Sequence, residues 1–352
     1  MENYKEHIAI LIPALNPDEK LVSYAKALNG RGFCNIVLID DGSREDAKKY
    51  FVEAQECGCI ILTHAVNQGK GRALKTGFNY ILNTFCETDV VGVVTADSDG
   101  QHSPADTENV AKALWEKIYH DEESNCLILG TRDFDEENVP FKSKFGNKIT
   151  TTLFALMHGR KIQDTQTGLR GISYSYMKRC LNLAGEKFEY EIGMLIDSVR
   201  EGVFIEKLYI ETIYINDNRE THFDAVRDSF RIYKVMFSMF IYYMLSSVTS
   251  FIIDIGLYDF LSKIVLKNLG LTRSVIFSSL LARLISSQFN FWLNRNGVFK
   301  SANSVKQSVV RYYILCILQI CCSAFLVVAD SHVLRPSGPH FPASQGHIKR
   351  PA

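Results

Sequence analysis

The chain has 352 residues, which is longer than one ordinary domain and predicts two. Its 39 basic and 39 acidic side chains balance, so composition indicates neither a nucleic-acid-binding protein nor one with a strongly anionic partner. Nine cysteines include no Cys-x-x-Cys pair, which argues against zinc and redox motifs and favours reduced thiols in a cytosolic domain. The first seven residues are polar and show no signal-peptide pattern.

Apolar residues make up 47% of the chain but are unevenly distributed. Up to about residue 235 apolar and charged segments alternate, as in a soluble domain, whereas long apolar stretches dominate from Phe237 onward. We therefore expect a soluble domain over residues 1–220 and a helical membrane domain over 237–329, joined by the segment 221–236.

The first half predicts strands that alternate with helices. One helix start is marked by Ser103 and Pro104, because serine caps helices and proline fits their first position. Strands are expected at 7–12, 35–39, 59–63, 90–95 and 126–129, and helices at 17–28, 44–55, 71–85 and 104–119. This order predicts an α/β fold with a mostly parallel sheet and helices on both faces, which binds ligands at the carboxyl ends of its strands.

Polar and charged residues, together with Pro13 and Ala14, follow four of these strands. The residues concerned are Pro13, Ala14, Asn16, Asp40, Asp41, Asp97, Asp99, Gln101 and Arg132. A single acidic turn is common in proteins and carries little information. Several independent clusters at one sheet edge favour a binding site.

Asp97 and Asp99 directly follow the apolar run 90–95. Two carboxylates spaced in this way can reach one point, which suits a hard divalent cation such as Mg²⁺ or Mn²⁺. Gln101 can add a neutral oxygen ligand. In sugar-nucleotide chemistry such a cation holds a diphosphate leaving group, although for this Asp-x-Asp alone a solvated turn is equally compatible.

Three further positions each allow a functional and an ordinary interpretation. Asp40 or Asp41 can accept the ring N–H of uracil or guanine, or cap a turn. Lys70, between glycines before a helix, suits an anion, although the segment 67–71 also fits an ordinary turn. Arg132 can grip a phosphate oxygen or pair with a nearby acidic residue, Asp133 or Asp135.

Nine segments resemble, in the same order, family 2 glycosyltransferases with a GT-A nucleotide-sugar-binding fold. They are IPALNP (12–17), IDDGS (39–43), NQGKGRALKTGF (67–78), ADSDGQH (96–102), GTR (130–132), SKFGN (143–147), DTQTGLRG (164–171), FEYEIGMLIDSVREG (188–202) and THFDAVRDSFRIY (221–233). More narrowly, the chain resembles the polyprenyl-phosphate glycosyltransferases, the group of dolichol-phosphate mannosyltransferase and the bactoprenol glucosyltransferases.

The resemblance implies an inverting transfer of a hexose from a UDP- or GDP-linked sugar to a polyprenyl phosphate, with Mg²⁺ or Mn²⁺ as cofactor. The implied metal ligands are Asp97, Asp99 and Gln101, and the implied catalytic residues are these three with Arg132 and Lys144. The implied donor-binding residues are Pro13, Ala14, Asn16, Asp40, Asp41, Lys70 and Asp97.

A lipid phosphate is already ionised at neutral pH, so it needs cations to hold it rather than a general base. Lys142, Lys144 and Lys148 supply positive charge on a predicted helix, although they also fit a solvated helix face. The resemblance places an arginine where Lys144 stands, and a lysine offers a point charge instead of a planar fork. Glu191, more than Glu189, is the candidate base if the acceptor is a hydroxyl.

The second half predicts membrane spans at 237–258, 274–294 and 312–329, each near the ~20 residues needed to cross the hydrocarbon core. The segment 221–236 includes a basic amphipathic stretch suited to a membrane surface, which also fits the last helix of the soluble domain. Asp254 and Arg283 interrupt two of the spans and either pair or contact a lipid phosphate.

The segments 246–261 and 282–299 resemble a GtrA-like membrane domain, which normally has four spans and is linked to moving lipid-linked sugars. From residue 330 onward the chain is polar and rich in proline and histidine, unlike that domain. We expect this tail, 330–352, to be disordered, and the sequence leaves open whether it is native or a truncated or frame-shifted end.

Together these features predict a multi-pass protein of the inner membrane with a cytoplasmic catalytic domain. Its expected partners are a nucleotide-sugar donor, a polyprenyl-phosphate lipid and the membrane, with no nucleic acid, and homo-oligomer formation is left open. Two alternatives stand beside this hypothesis. One is a membrane-bound transferase acting on a sugar hydroxyl, although the Gln-x-x-Arg-Trp motif of polysaccharide synthases is absent. The other is a transport protein for lipid-linked sugars.

Overall fold

The computed structural model describes residues 4–133, 141–211, 227–295 and 313–314. Two compact units divide the chain, Met1–Ser238 and Met239–Ala352. In the first unit a seven-stranded sheet is flanked by helices, and this α/β architecture agrees with the GT-A-like fold that the resemblance implies. The division at Ser238 lies close to the boundary that the change in hydropathy indicates.

The elements are labelled in chain order. The strands are β1 (Ile8–Ala14), β2 (Ile36–Asp40), β3 (Ile60–Thr63), β4 (Gly92–Thr95), β5 (Cys126–Arg132), β6 (Arg170–Ser173) and β7 (Phe204–Ile210). The helices are α1 (Glu19–Gly30), α2 (Lys48–Glu56), α3 (Lys70–Thr84), α4 (Pro104–Tyr119), α5 (Phe141–His158), α6 (Tyr174–Cys180), α7 (Glu189–Arg200), α8 (Arg227–Phe260) and α9 (Leu271–Leu293).

The sheet order is β3-β2-β1-β4-β6-β5-β7. Neighbours are parallel except at β6, which pairs antiparallel with β4 on one side and β5 on the other. The carboxyl ends of β1, β2, β4 and β5 therefore lie at one edge, together with the start of β6. The prediction of a mostly parallel sheet is confirmed, and the antiparallel β6 and the edge strand β7 are additions that the sequence did not predict.

The sheet is covered on both faces, so β1 is buried along its whole length. Ala9 and Leu11 face a core that includes side chains of α3, α6 and α7. Ile8, Ile10 and Ile12 face the opposite core, formed with α1, α2 and α4. This two-sided packing makes the sheet a rigid platform for the loops at its carboxyl edge.

Helix α4 begins and ends where the sequence predicts. Ser103 is its N-cap and accepts a hydrogen bond from the backbone N–H of Asp106, which satisfies one of the unpaired donors of the first turn. The predicted helix 44–55 differs, because a short 3₁₀ turn at Glu45–Ala47 precedes α2. The sequence therefore predicts the start of a helix accurately where a strong capping residue marks it.

The first turns of α8 belong to the first unit. Ile232 and Met236 are buried there in the core with α7, so this part of the predicted amphipathic segment serves as a helix of the soluble domain. Residues 221–226 of that segment lie outside the described residues.

The second unit contains the rest of α8 and α9. Within the described part of the chain one helical stretch, Phe240–Val265, is long and apolar enough to cross a membrane, with a mean hydropathy of 1.5. Helix α9 covers the predicted span 274–294 to within one residue. It does not meet the same criterion of length and apolarity. The predicted span 312–329 lies outside the described residues except at 313–314, as does the tail 330–352. A single such helix does not establish a membrane domain, so the three spans stay a prediction.

Asp254 and Arg283 form the pair that the sequence offered as one of two options. The distance from Asp254 Oδ2 to Arg283 Nε is 3.6 Å. Ser286 Oγ also donates a hydrogen bond of 2.8 Å to Asp254 Oδ1. These contacts join α8 and α9 within the second unit.

Candidate active site

A cavity of about 700 Å³ opens at the carboxyl edge of the sheet. Eight of the predicted site residues line it: Pro13, Ala14, Asp41, Lys70, Asp97, Asp99, Gln101 and Arg132. They come from the ends of β1 and β5, the loops after β2 and β4, and the first residue of α3. The common edge of the parallel strands thus brings together residues that are far apart in the sequence.

Three predicted residues do not line this cavity. Asn16 accepts a hydrogen bond at Oδ1 from the backbone N–H of Arg44, and its own N–H donates to Ser43. Asp40 is buried and accepts from the backbone N–H of Ser43, so it acts as the turn cap that the sequence offered as its alternative. Lys144 is exposed on α5. Their roles in binding stay predictions.

Asp41 braces the loop that precedes α3. Its Oδ1 accepts from the backbone N–H of Gln68 at 2.9 Å, and its Oδ2 accepts from Gly69 at 2.7 Å. His64 Nδ1 lies 2.7 Å from the same carboxylate, while His64 Nε2 lies 2.9 Å from Thr76 Oγ1. The carboxylate that the sequence offered to a nucleobase is therefore also the anchor of its own loop.

Gly69 allows this loop to approach the residues just before α7 closely. Its φ is +102°, in the left-handed region that glycine tolerates. A Cβ at this position would lie 2.5 Å from the backbone oxygen of Glu186. Both constraints require glycine, and they fix where Lys70, the next residue, enters the cavity.

Lys70 bridges two carboxylates in the cavity. Its Nζ lies 2.7 Å from Asp97 Oδ1 and 2.9 Å from Glu191 Oε1. Burial lowers the pKa of Lys70, but the two negative charges outweigh it and raise the pKa above its usual value. The lysine therefore stays charged and favours the ionised form of Asp97.

Asp97 and Asp99 lie in different electrostatic surroundings. Burial raises the pKa of Asp97, but Lys70 and His102 outweigh it and hold the pKa well below its usual range. Burial and the charge of Asp97 raise the pKa of Asp99, whose Oδ1 accepts from the backbone N–H of Gln101 at 3.0 Å. A strong negative charge is thus concentrated on Asp97.

The donor set suits Mg²⁺ or Mn²⁺ bound together with a diphosphate. Asp97, Asp99 and Gln101 all line the cavity, and these ions favour one or two carboxylates completed by phosphate oxygens and water. The Asp97 side chain fits here only because residue 168 is glycine, since a Cβ at Gly168 would lie 2.2 Å from Asp97 Oδ2. Over the described ranges, no group of three or more His, Cys, Asp or Glu side chains is arranged to hold a metal without such a partner.

Arg132 forms a two-pronged ion pair with Asp164. Its Nε donates to Asp164 Oδ2 at 2.8 Å and its Nη2 donates to Oδ1 at 3.1 Å. The Asp164 side chain is fully buried. The sequence offered an ion pair as the alternative to phosphate binding, but it named the neighbours Asp133 and Asp135 rather than this distant partner.

Comparison with known proteins agrees with this geometry. The family described as glycosyl transferase family 2 matches residues 9–181. An uncharacterized protein of Methanocaldococcus jannaschii is 30% identical over 214 residues, which cover 60% of this chain and 83% of that protein. The chain belongs to glycosyl transferase family 2. It is a glycosyltransferase, and the cavity at the strand ends is its candidate active site.

Two further relatives of this glycosyltransferase carry functional names. The UDP-N-acetylglucosamine–dolichyl-phosphate N-acetylglucosaminyltransferase of Methanococcus voltae is 28% identical over 225 residues, or 59% of this chain and 86% of that protein. Glycosyltransferase AglJ of Haloferax volcanii is 24% identical over 227 residues, which cover 63% of this chain and 68% of that protein. The family match ends at residue 181, so the resemblance of the second unit to a GtrA-like domain stays a prediction.

Among solved structures, the glucosyl-3-phosphoglycerate synthase of Mycobacterium tuberculosis, in complex with Mn²⁺, UDP and glucosyl-3-phosphoglycerate, matches with a TM-score of 0.49. It is 16% identical, and the match covers 66% of this chain and 79% of that one.

Several residues that line the cavity of the glycosyltransferase were not predicted as site residues. Arg227 and Arg231 reach it from the first turns of α8, and Arg231 Nη1 lies 2.8 Å from Asp228 Oδ1. Asn147 and Thr150 line it from α5. The sequence identified the basic stretch of α8 and left open whether it lies on a membrane surface or is the last helix of the soluble domain. Nothing local shows that its first turns reach the sheet edge.

The pairing of Arg132 gives a first testable prediction. The Arg132→Gln substitution leaves Asp164 as an uncompensated buried charge, so we expect the free energy of unfolding to fall by about 3 kcal/mol. Urea denaturation of the full-length enzyme measures this change. The double variant Arg132→Gln/Asp164→Asn is the matched control and should recover part of the loss. An unchanged free energy of unfolding in the single variant would contradict the structural role.

Proposed function

We propose that this glycosyltransferase moves a hexose from a UDP- or GDP-linked donor to a polyprenyl phosphate, with inversion at the anomeric carbon. The observation that carries the proposal is the charge pattern of one cavity. An acidic pair, Asp97 and Asp99, and two arginines of α8, Arg227 and Arg231, line the same space. This pattern suits a reaction in which both the leaving group and the acceptor are phosphates.

At the donor end, the backbone N–H groups at the start of α3 and the ammonium of Lys70 attract a diphosphate. Asp97 and Asp99, with Gln101, would hold Mg²⁺ or Mn²⁺, which neutralises the charge that develops on the departing diphosphate. Pro13, Ala14 and Asp41 would line the nucleoside side of the cavity. Arg132 would act by positioning the loop around Asp164 rather than by gripping phosphate.

At the acceptor end, the arginines of α8 would hold the lipid phosphate in place of the exposed Lys144. A phosphate oxygen forms the new bond to the anomeric carbon from the face opposite the leaving group. The bond from that carbon to the diphosphate oxygen breaks, and its electron pair leaves with the nucleoside diphosphate. No proton has to be removed, because the phosphate is already ionised, so the reaction needs no side-chain base.

Two observations support a lipid phosphate as the acceptor. The name of the Methanococcus voltae relative gives dolichyl phosphate as its acceptor and UDP-N-acetylglucosamine as its donor. The stretch Phe240–Val265 is apolar enough to hold the enzyme at a membrane. We further propose that the enzyme lies in the inner membrane with several spans and a cytoplasmic catalytic domain. This arrangement gives it access to a water-soluble donor and a lipid acceptor.

The alternative acceptor is a sugar hydroxyl. Glu191 favours it, because this buried carboxylate lines the cavity and could accept a proton. In the structure, however, Glu191 Oε1 is already paired with Lys70 Nζ at 2.9 Å, so the carboxylate is engaged by a cation rather than poised to accept a proton. We therefore prefer the phosphate acceptor. A transport protein whose soluble half is only regulatory is disfavoured by membership of a transferase family.

A donor and acceptor screen tests the proposal. The purified full-length enzyme is incubated with Mn²⁺ or Mg²⁺, radiolabelled UDP- and GDP-sugars, and undecaprenyl or dolichyl phosphate. We expect label in the organic phase that mild acid releases, since a glycosyl phosphate ester is acid-labile. Undecaprenol, which lacks the phosphate, is the matched control and should accept no sugar. Label found in a polymer, or transferred equally to undecaprenol, would favour the hydroxyl acceptor.

A further inference from the structure

The ammonium of Lys70 occupies the centre of the acidic part of the cavity. It contacts Asp97 Oδ1 at 2.7 Å and Glu191 Oε1 at 2.9 Å, and its side chain is only 15% exposed. The ring of Phe188 lies 5.7 Å from the same nitrogen. A charge held this closely in a partly desolvated place interacts far more strongly with its partners than one in water.

Both oxygens of Asp97 are already approached by groups of the chain itself. Lys70 contacts Oδ1, and His102 Nε2 lies 3.4 Å from Oδ2. The carboxylate has little room to turn, because Gly168 packs against it so closely that even a Cβ would not fit. A divalent cation that takes Asp97 as a ligand must therefore compete with Lys70 for the same carboxylate.

The backbone of Lys70 is fixed, but its side chain has room to change partners. Gly69 and Gly71 pack against the segment around Glu186 and Tyr190 at distances that exclude a Cβ, and the backbone N–H of Arg72 donates to the Glu186 oxygen, so the start of α3 is held against this segment. The four methylene groups of the side chain can still rotate. Glu191, or a diphosphate at the helix N-terminus, can then hold the ammonium after it leaves Asp97.

We propose that Lys70 is an internal counter-ion that holds Asp97 in the metal-free enzyme and must be displaced for the metal to bind. Because a nucleoside diphosphate gives the displaced ammonium a new partner, metal and nucleotide bind interdependently, and the metal alone binds weakly. The classes of metal and nucleotide rest on the proposed function. The competition itself rests on the contacts of Lys70 and requires no particular acceptor.

The test measures Mn²⁺ binding directly, without sugar transfer. Mn²⁺ is titrated into the full-length enzyme in detergent, and electron paramagnetic resonance reports the free ion. Replacing Lys70 by methionine removes the charge and supplies no oxygen ligand. In the absence of nucleotide we expect Lys70→Met to bind Mn²⁺ about tenfold more tightly than the wild type, an effect of the size usual for groups around metal ligands. UDP or GDP should raise the Mn²⁺ affinity of Lys70→Met less than that of the wild type, by a similar factor.

Two variants control for charge and for folding. Arg72→Met removes one positive charge two residues further along α3, where Arg72 pairs with Glu186 and lies outside the cavity lining. We expect its Mn²⁺ affinity to match the wild type within about twofold, since exposed charges are screened. Lys70→Arg keeps the positive charge and should not tighten Mn²⁺ binding, which keeps the inference testable if Lys70→Met folds poorly.

The outcomes separate this inference from the proposed function. Equal or weaker Mn²⁺ binding by Lys70→Met than by the wild type overturns the counter-ion role and does not bear on the proposed sugar transfer. Tighter binding by Arg72→Met to the same degree also overturns it, because the effect would then be general. Failure of both the wild type and Lys70→Met to bind Mn²⁺ overturns the inference and the metal assignment together. Tighter binding with no transfer to a lipid phosphate supports the inference and removes only the proposed acceptor.

Discussion

Replacing Asp99 by asparagine is expected to lower the rate of sugar transfer by ~10³-fold, the size of loss seen when charge stabilisation of a transition state is removed. Asp99 is the carboxylate of the pair that Lys70 does not contact, so its loss removes a metal ligand and leaves the Lys70 bridge in place. Asparagine keeps an oxygen that can accept from the backbone N–H of Gln101. The local turn should therefore survive.

The measurement is transfer of radiolabelled sugar to undecaprenyl phosphate at several Mn²⁺ concentrations. A metal-ligand role predicts that high Mn²⁺ restores part of the activity of Asp99→Asn, because the ligand set is weakened rather than removed. Asp121→Asn is the matched control, since Asp121 is exposed and pairs with Lys117 away from the cavity. It should transfer sugar at the wild-type rate. Undiminished activity in Asp99→Asn would contradict the assignment of the metal site.

The α/β architecture could be predicted because its signals are local. Apolar runs mark β1, β2 and β4, and the Ser103–Pro104 pair marks the start of α4. Strand β6 was not predicted, because its four residues include Arg170 and give no apolar alternation. Its place in the sheet depends on pairing with β4 and β5, far away in the sequence. The Arg170 side chain is buried and satisfied by backbone oxygens of Thr167 and Glu191, which no local pattern indicates.

The location of the site could be predicted for a topological reason. Parallel strands end at one edge, so clusters that follow different strands meet there. Their pairings could not be predicted in the same way. Lys70 bridges Asp97 and Glu191, and Arg132 pairs with Asp164, because α7 brings Glu191 and the loop before β6 brings Asp164 to the edge where Asp97 follows β4. A sequence shows which residues can be ligands, but the partners they choose depend on long-range packing.

Within the second unit, the membrane prediction differs between α8 and α9 for a physical reason. Hydropathy alone marks Phe240–Val265, which the structure forms as a helical stretch. Helix α9 carries Arg273, Arg283 and several serines, and some of these serines are buried rather than exposed. Small polar residues allow close helix packing in membranes and in soluble proteins alike. The composition of α9 therefore does not decide between the two environments.

Replacing Gly168 by alanine is expected to reduce sugar transfer by ~10²-fold with little loss of stability, because small misplacements of catalytic groups have effects of that size. The added Cβ would lie 2.2 Å from Asp97 Oδ2. The backbone cannot retreat easily, since Thr95 Oγ1 donates a hydrogen bond of 2.8 Å to the Gly168 carbonyl oxygen. The short Asp97 side chain must rotate instead, and rotation moves its oxygens away from Lys70 and from the metal position.

Gly193→Ala is the matched control, because it adds the same methyl group on α7 where the nearest atom, a backbone oxygen of Ala184, lies 3.7 Å away. It should leave transfer unchanged and raise stability by about 0.5–1 kcal/mol, as glycine-to-alanine changes in helices do. Steady-state transfer and urea denaturation of both variants measure the two effects. If Gly168→Ala lost stability and activity together, the defect would lie in the fold. Loss of activity alone locates it at Asp97, where a carboxylate held by a lysine and limited by a glycine has one productive orientation.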